Sequence, residues 1–358
     1  MRIEKRPQTS RLSLVLAPVA AIAFTLIVSA LLVVWAGAPV GRTYAMLFDG
    51  GFGSVFALTE TLTRAIPLML TGLAATVAFR ARLYNIGAEG QLYAGALAAV
   101  AVGGSGWALP PPLLFTLMLL AAVTAGALLL LGPAFLKARL GVDEVVTTLL
   151  LNFVMLLFVS MMLDGPMKDP AAMGWPQSVA LAGELELSKL VPQTRLHTGL
   201  LVAAGLALAL WAFLKFSVAG FDIRAVGANA KAAAFAGVPV TRTVLLVALL
   251  SGGLAGLAGA IEVAGRTSYL TLDMSPGYGY TGIVIAMLAA LHPLGVVAAA
   301  VFVAGVLVGA DSMSRAVGVP TYIADVIVAA SLISVLVAAW ATQYRLAWRA
   351  APVAGALR

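Results

Sequence analysis

Hydrophobic positions in this chain neither alternate nor recur as single stripes; they run together. Residues 12–41, 65–79, 90–136, 145–163, 196–214, 243–261, 274–310 and 326–344 contain no Lys, Arg, Asp or Glu. A spanning helix needs about 20 apolar residues, whereas a membrane barrel reads as short alternating segments. The runs therefore predict transmembrane helices. The stretch GGSGWALPPP at 103–112 divides the run 90–136, and His292-Pro293-Leu294-Gly295 divides 274–310. The short run 65–79 extends backwards through Val55, Phe56 and Leu58 past Glu60 and Arg64. The pattern predicts an all-α, polytopic bundle of about ten transmembrane helices, with nine as the alternative. One transmembrane domain covers 12–344, between tails at 1–11 and 345–358. The first apolar run is far longer than the roughly 7–15 residues of a signal peptide, which predicts a retained first helix. Trp35, Trp107, Trp340 and Trp348 fall near span ends, where interfacial Trp belongs.

Composition and charge sharpen this picture. Charged residues make up 10% of the chain, against about 25% in soluble domains, so a soluble globule is excluded. The absence of cysteine removes disulfides, thiolate metal sites and a cysteine nucleophile. A net charge of +7 raises the question of nucleic acid. The placement of the charges answers it. With the N-terminus inside and ten spans, 15 of the 22 basic residues fall on the inner segments, from Arg2 to Arg358. Asp49, Glu60, Asp164, Asp169, Glu184, Glu186, Asp273 and Asp311 fall outside. This is the bias of a membrane protein with cytoplasmic N- and C-termini, and no nucleic-acid partner is expected.

The candidate chemistry lies in a few polar words. Asn85-Ile-Gly-Ala-Glu-Gly-Gln91 opens a long charge-free run. Gly87 and Gly90 permit close helix approach, and Asn85, Glu89 and Gln91 offer polar groups near the inner end of a pathway or gate. The competing reading is a helix start, with Asn85 as cap and Glu89 in a first turn favoured by the dipole. Either way, the stretch is expected near the cytoplasmic surface. Asn152 lies deep within its run, where a polar residue marks a pathway or an interhelical hydrogen bond. Tyr278 and Tyr280 are expected at the outer mouth of a span, either stacking a flat solute or joining the interfacial aromatic belt. Gly252, Gly253, Gly256 and Gly259 predict backbone contact with another helix. No metal site is expected.

Two connections are long. The outer loop 164–197 carries Pro166, Pro170, Pro176 and Pro192; it predicts either a solvated connector or a partner-receiving cap. The cytoplasmic loop 215–242 encloses a short helix: Asn229 as N-cap, Ala-rich 230–236, Gly237 as a left-handed stop and Pro239 beyond. Helices this short are marginal alone, so this one is expected to dock on the bundle or on another protein.

NIGAEGQ (85–91), GVDEVVTTLLLNF (141–153) and GFDIRAVGANAKAAAFAGV (220–238), in that order, resemble the permease subunits of bacterial ABC importers for simple sugars and nucleosides, most nearly the nucleoside branch. The resemblance runs from about residue 55 to 340. It implies transport of nucleosides or simple sugars across the bacterial inner membrane by alternating access. It implies a second, homologous but different permease chain, an ATP-binding protein and a periplasmic or lipoprotein substrate-binding protein. It also implies that Asp222, Arg224, Gly227, Asn229, Ala233 and Gly237 belong to the segment that couples to the ATPase. The chain has no GxxxxGK[ST] phosphate loop, so ATP and Mg are expected on the partner and no cofactor on this chain. The rival reading is an ion-coupled secondary transporter of a small polar solute, which usually needs coupling groups near the midplane. Deep ionisable residues are nearly missing from the runs, and no catalytic cluster marks an enzyme.

Overall fold

Proline, glycine and small polar caps punctuate the chain into helices. The structure is a computed structural model that describes residues 2–5, 23–24, 27–318, 326, 329–330, 333–334, 337–338, 341 and 344–347. Most of the expected last span, 326–344, and part of the first lie outside the described residues. The chain divides into two units, residues 49–308 and residues 1–48 with 309–358. In the second of these, strand β1 (Arg2–Lys5) pairs antiparallel with β2 (Tyr344–Ala347), Arg2 opposite Ala347. Helix α1 (Ile27–Trp35) meets α2 (Val40–Phe52) at a bend of 115°.

The larger unit holds α3 (Val55–Arg80), α4 (Ala88–Gly103), α5 (Pro111–Leu140), α6 (Glu144–Asp164), α7 (Gly199–Phe216), α8 (Val218–Ala228), α9 (Ala230–Phe235), α10 (Val240–Glu262), α11 (Tyr278–Leu288) and the start of α12 (Pro293–Val317). Local chemistry sets the ends. Ser54 caps α3 by accepting from Ala57 N, and Asp143 caps α6 by accepting from Val145 N. Pro111 opens α5, where its missing N–H costs nothing, and left-handed Gly141 closes it.

Among the described residues six helices are long and apolar enough to cross a membrane, or seven if α1 and α2 form one broken span. The divisions expected at 103–112 and 292–295 occur, but two of the resulting pieces are short. Helix α4 has 16 residues and α11 has 11, about 24 and 16 Å at 1.5 Å per residue. Neither crosses a core of about 30 Å alone. Each begins inside the bundle, for a reason that lies in the polar joint between them.

Helix α3 is the axis of the unit. Its apolar window is 83% buried, against 17% for α6, whose Leu150, Phe153, Val154 and Leu157 face outward. Helix α10 packs on α3, α4 and α5. The expected glycine contact is made here. A methyl group on Gly256 would lie 2.3 Å from Ala122 O of α5, and one on Gly95 would lie 2.1 Å from Gly256 O. Only glycine permits this backbone-on-backbone approach.

The loop 164–197 is tied down by backbone hydrogen bonds. Ser178 N donates to Leu270 O, Leu181 N to Ser268 O and Leu187 N to Ala264 O. The loop therefore lies across the segment after α10, which leaves that helix through a π-helical turn, Val263–Thr267.

Candidate functional site

The NIGAEGQ stretch does not start a helix in the expected way. Helix α4 is capped at Gly87, not by the Asn85 side chain, although Asn85 Oδ1 accepts from Gly87 N at 2.9 Å. Asn85 Nδ2 donates to Gln91 Oε1 (2.9 Å) and reaches Ser251 Oγ (3.0 Å). Gln91 Nε2 donates back to Asn85 Oδ1 at 2.9 Å. Ser251 then donates to Ala74 O at 2.8 Å. One amide ring thus joins α3, α4 and α10, and all its members are buried.

Asn152 of α6 completes the surround. Its Oδ1 accepts from Gly90 N (2.8 Å), and its Nδ2 donates to Ile86 O (2.9 Å) and lies 3.0 Å from Tyr280 Oη. Thr148, one turn earlier, accepts from Ile86 N at 3.2 Å. At the start of α6, Glu144 accepts from Tyr84 N (3.0 Å) and is ion-paired with Lys137. The GVDEVVTTLLLNF segment therefore serves the NIGAEGQ segment, which wraps around it backbone to side chain.

Glu89 has a partner that no sequence spacing suggested. Its carboxylate accepts from Gly279 N at 2.6 Å, with the Ser275 hydroxyl and the Gly277 N–H donating as well. It caps α11, not its own helix. An anion belongs at such an N-terminus, where backbone donors have no helical partner. A methyl group on Gly279 would lie 2.2 Å from Glu89 N, so the two chain segments touch.

This contact fixes the position of the joint along α3. Thr71 Oγ1 lies 3.0 Å from the carbonyl of Tyr278. Thr71 is nine residues before Arg80, where α3 ends, which is about 13 Å along the helix. Tyr278, with Glu89 beside it at Gly279, therefore lies about 13 Å along α3 from its Arg80 end. Tyr278 is buried and accepts from Arg266 Nη1 at 3.1 Å, so it is no member of an aromatic belt. Tyr280 is the member of the group with an open face, 38% exposed.

Several members of the site were missed in sequence. Glu262 is buried and pairs with Arg266 at 2.6 Å. Their i,i+4 spacing was legible, but Glu262 stands just past the end of an apolar run and reads as its boundary. Tyr93 donates to Leu272 O and accepts from Ser275 N. Ser251, Thr71 and Ser275 carry no sequence signal beyond being polar.

The loop 215–242 has the opposite character. Asn229 Oδ1 accepts from Lys231 N and Ala232 N at 3.0 and 3.1 Å, capping α9 as expected. Gly237 takes a φ of +86°, the expected left-handed stop. Ala233 is buried toward the bundle, whereas Phe235 is 96% exposed. Asp222, Arg224 and Gly227 lie on α8, with Arg224 exposed.

A model of the branched-chain amino acid transport system permease component matches residues 57–336. This chain belongs to that permease family. The guanosine ABC transporter permease protein NupP of Bacillus subtilis is 36% identical to the permease over 321 residues, 89% of this chain and 92% of NupP. The glucose ABC transporter permease protein TsgB13 of Haloferax volcanii is 38% identical over 314 residues, 84% and 82% of the two chains. The nucleoside ABC transporter permease protein NupB of Lactococcus lactis is 31% identical over 333 residues, 90% and 91%. Family and helices together make the permease an integral, multi-pass membrane protein and a component of a transport system.

Proposed function

We propose that the permease is the membrane-spanning subunit of an ATP-driven ABC importer that carries nucleosides across the bacterial inner membrane by alternating access. The observation that carries this reading is similarity to a guanosine permease protein over nearly the whole of both chains. ATP and Mg then bind a partner ATP-binding protein. A periplasmic or lipoprotein binding protein delivers the solute, and a second, homologous but different permease chain completes the pathway. The lysine and arginine bias supports cytoplasmic termini, and the pairing of β1 with β2 is compatible with both strands lying on one side of the membrane.

In this arrangement α8 and α9 form the coupling segment at the cytoplasmic end. Gly227, Asn229, Ala233 and Gly237 shape it, Asp222 and Arg224 flank it, and Phe235 is the contact offered to the ATPase. The partner's nucleotide state must bind one bundle conformation better than the other to drive transport. Asn85, Glu89, Gln91 and Asn152 hold the wall of the pathway with Tyr278. Tyr280 presents its ring to the solute. A second reading, import of a simple sugar, is favoured by the 38% identity to the glucose permease protein.

Uptake of radiolabelled guanosine and glucose by cells carrying the whole transporter tests this. The parent should accumulate guanosine in competition with other nucleosides, and Phe235→Glu should lose both uptake and co-purification of the ATPase at equal membrane expression. Accumulation that survives ATP depletion but stops when ion gradients are dissipated would overturn the reading. Competition by glucose alone would move the substrate to sugars.

A further inference from the structure

At the Arg80 end of the larger unit, four elements enclose a cavity of about 250 Å³ lined by Arg80, Trp211, Leu214, Lys215, Arg224 and His292, with Pro293. We infer that this cavity binds the phosphodiester headgroup of an anionic phospholipid from the adjacent leaflet. This goes beyond the import reading and does not depend on which solute is carried.

The charge pattern comes first. Three cations and a histidine line one small cavity that has no acidic lining residue. Among the described residues, none of the three cations is ion-paired with a carboxylate, unlike Lys137 with Glu144, Arg195 with Glu60 and Arg266 with Glu262. Like charges gathered in this way repel, and the arrangement calls for an anion. Arginine and lysine are the usual phosphate ligands, through forked and point donors respectively.

The walls are fixed rather than flexible. Arg80 Nε donates to Leu291 O at 2.8 Å, which ties the end of α3 to the turn before α12. A methyl group on Gly227 would lie 1.7 Å from Arg80 O, so α8 presses directly on the end of α3. His292 Nδ1 accepts from Gly295 N at 3.4 Å. Lys215 Nζ sits 5.0 Å from the Trp211 ring centroid and 5.1 Å from that of Phe216.

The position selects lipid over a free anion. Helix α7 is one of the outward-facing spans, 28% buried, with Leu201, Val202 and Leu208 exposed. Its last two turns carry Trp211 and Lys215, the pairing of an aromatic and a cation found at headgroup level. Basic pockets between transmembrane helices at this level suit lipid headgroups. The volume falls a little below the roughly 300–1,000 Å³ of drug-sized ligand pockets. That suits a headgroup whose acyl chains stay outside along α7.

The test uses the whole transporter purified in a neutral detergent. Phosphatidylglycerol, phosphatidylcholine or inorganic phosphate is added, and bound lipid is counted by native mass spectrometry alongside the melting temperature. The parent should retain phosphatidylglycerol over phosphatidylcholine. Lys215→Gln and His292→Gln should each keep the fold, judged by an unchanged elution profile without added lipid. Lys215→Gln should weaken phosphatidylglycerol retention about fivefold. Arg242→Gln, which lies outside this cavity, should not weaken it. Equal retention of the two lipids, or equal loss in the Arg242 variant, overturns the proposal. Displacement of phosphatidylglycerol by millimolar phosphate would make the ligand a free anion, and retention only after the ATPase is stripped off would give the cavity to a partner's acid. None of these results involves solute, so failure here leaves the import reading standing.

Discussion

The joint around Glu89 and the loop around Phe235 were equally prominent as polar or small-residue words in an apolar chain, and they use their residues in opposite ways. In the joint, Asn85, Gln91, Ser251, Asn152 and Glu89 satisfy one another and the backbone, and little is left over for a ligand. In the loop, Asn229 shapes a short helix, and that helix leaves a large apolar ring exposed at Phe235. A closed network fixes the wall of a structure. A capped helix with an unsatisfied face is built to meet something. Polarity in a membrane sequence therefore does not separate a functional group from a structural one, and the destination of its hydrogen bonds does.

Mutations can break or sharpen this contrast. The largest effect on stability is expected for Glu89→Ala, which strands the Gly279 and Gly277 N–H groups and the Ser275 hydroxyl. At about 1–3 kcal/mol for each buried group left unpaired, the loss should exceed about 3 kcal/mol and appear as a lowered melting temperature and poor monodispersity. A variant with parental stability but no uptake would instead make Glu89 part of the pathway.

Acid should act next, and through the loop 164–197. His197 is buried between Gly199 and Gly265, and burial pushes its imidazole down to about 4. The unfolded histidine keeps its ordinary value near 6.5. Protons therefore bind the unfolded loop first, and stability is lost as pH falls from about 6.5 toward 4. The loss should reach about 2 kcal/mol at pH 5. Hydrogen exchange across 164–198 at pH 7 and pH 5 reads this directly, and His197→Leu should flatten the difference.

A smaller loss, about 1 kcal/mol, is expected for Asn229→Ala, which removes the cap of α9. It should show as faster exchange or protease nicking confined to 229–237, with the melting temperature of the bundle nearly unmoved. Smallest of all in stability is Phe235→Ala, an exposed substitution expected within about 0.5 kcal/mol of the parent. If the contrast holds, this variant nonetheless loses uptake and ATPase co-purification. A large fall in melting temperature for Phe235→Ala, with uptake retained, would erase the distinction between the two regions.

Helices, their breaks and the small helix α9 were legible in the sequence because they depend on local chemistry: apolar run length, proline, glycine and an Asn cap. The joint was only half legible. Asn152 could be read as a buried amide in need of a partner, but Gly90 lies 62 residues away and Gly279 lies 190 from Glu89. No period along the chain announces such pairs. Charge counting assigns each polar word to a membrane surface and is blind to partners so far along the chain. Here the two segments meet inside the bundle, and the backbone groups freed there are satisfied by protein.

The glycine contacts among α4, α5 and α10 set a limit on how this bundle can move. Side chains that interdigitate can exchange rotamers and slide by a ratchet step. Bare backbones in contact have no such alternatives, since any shift of Gly256 against Ala122 or Gly95 either collides or opens a gap. These three helices must travel together as one lever arm. The hinge of any opening has to fall outside this trio of helices.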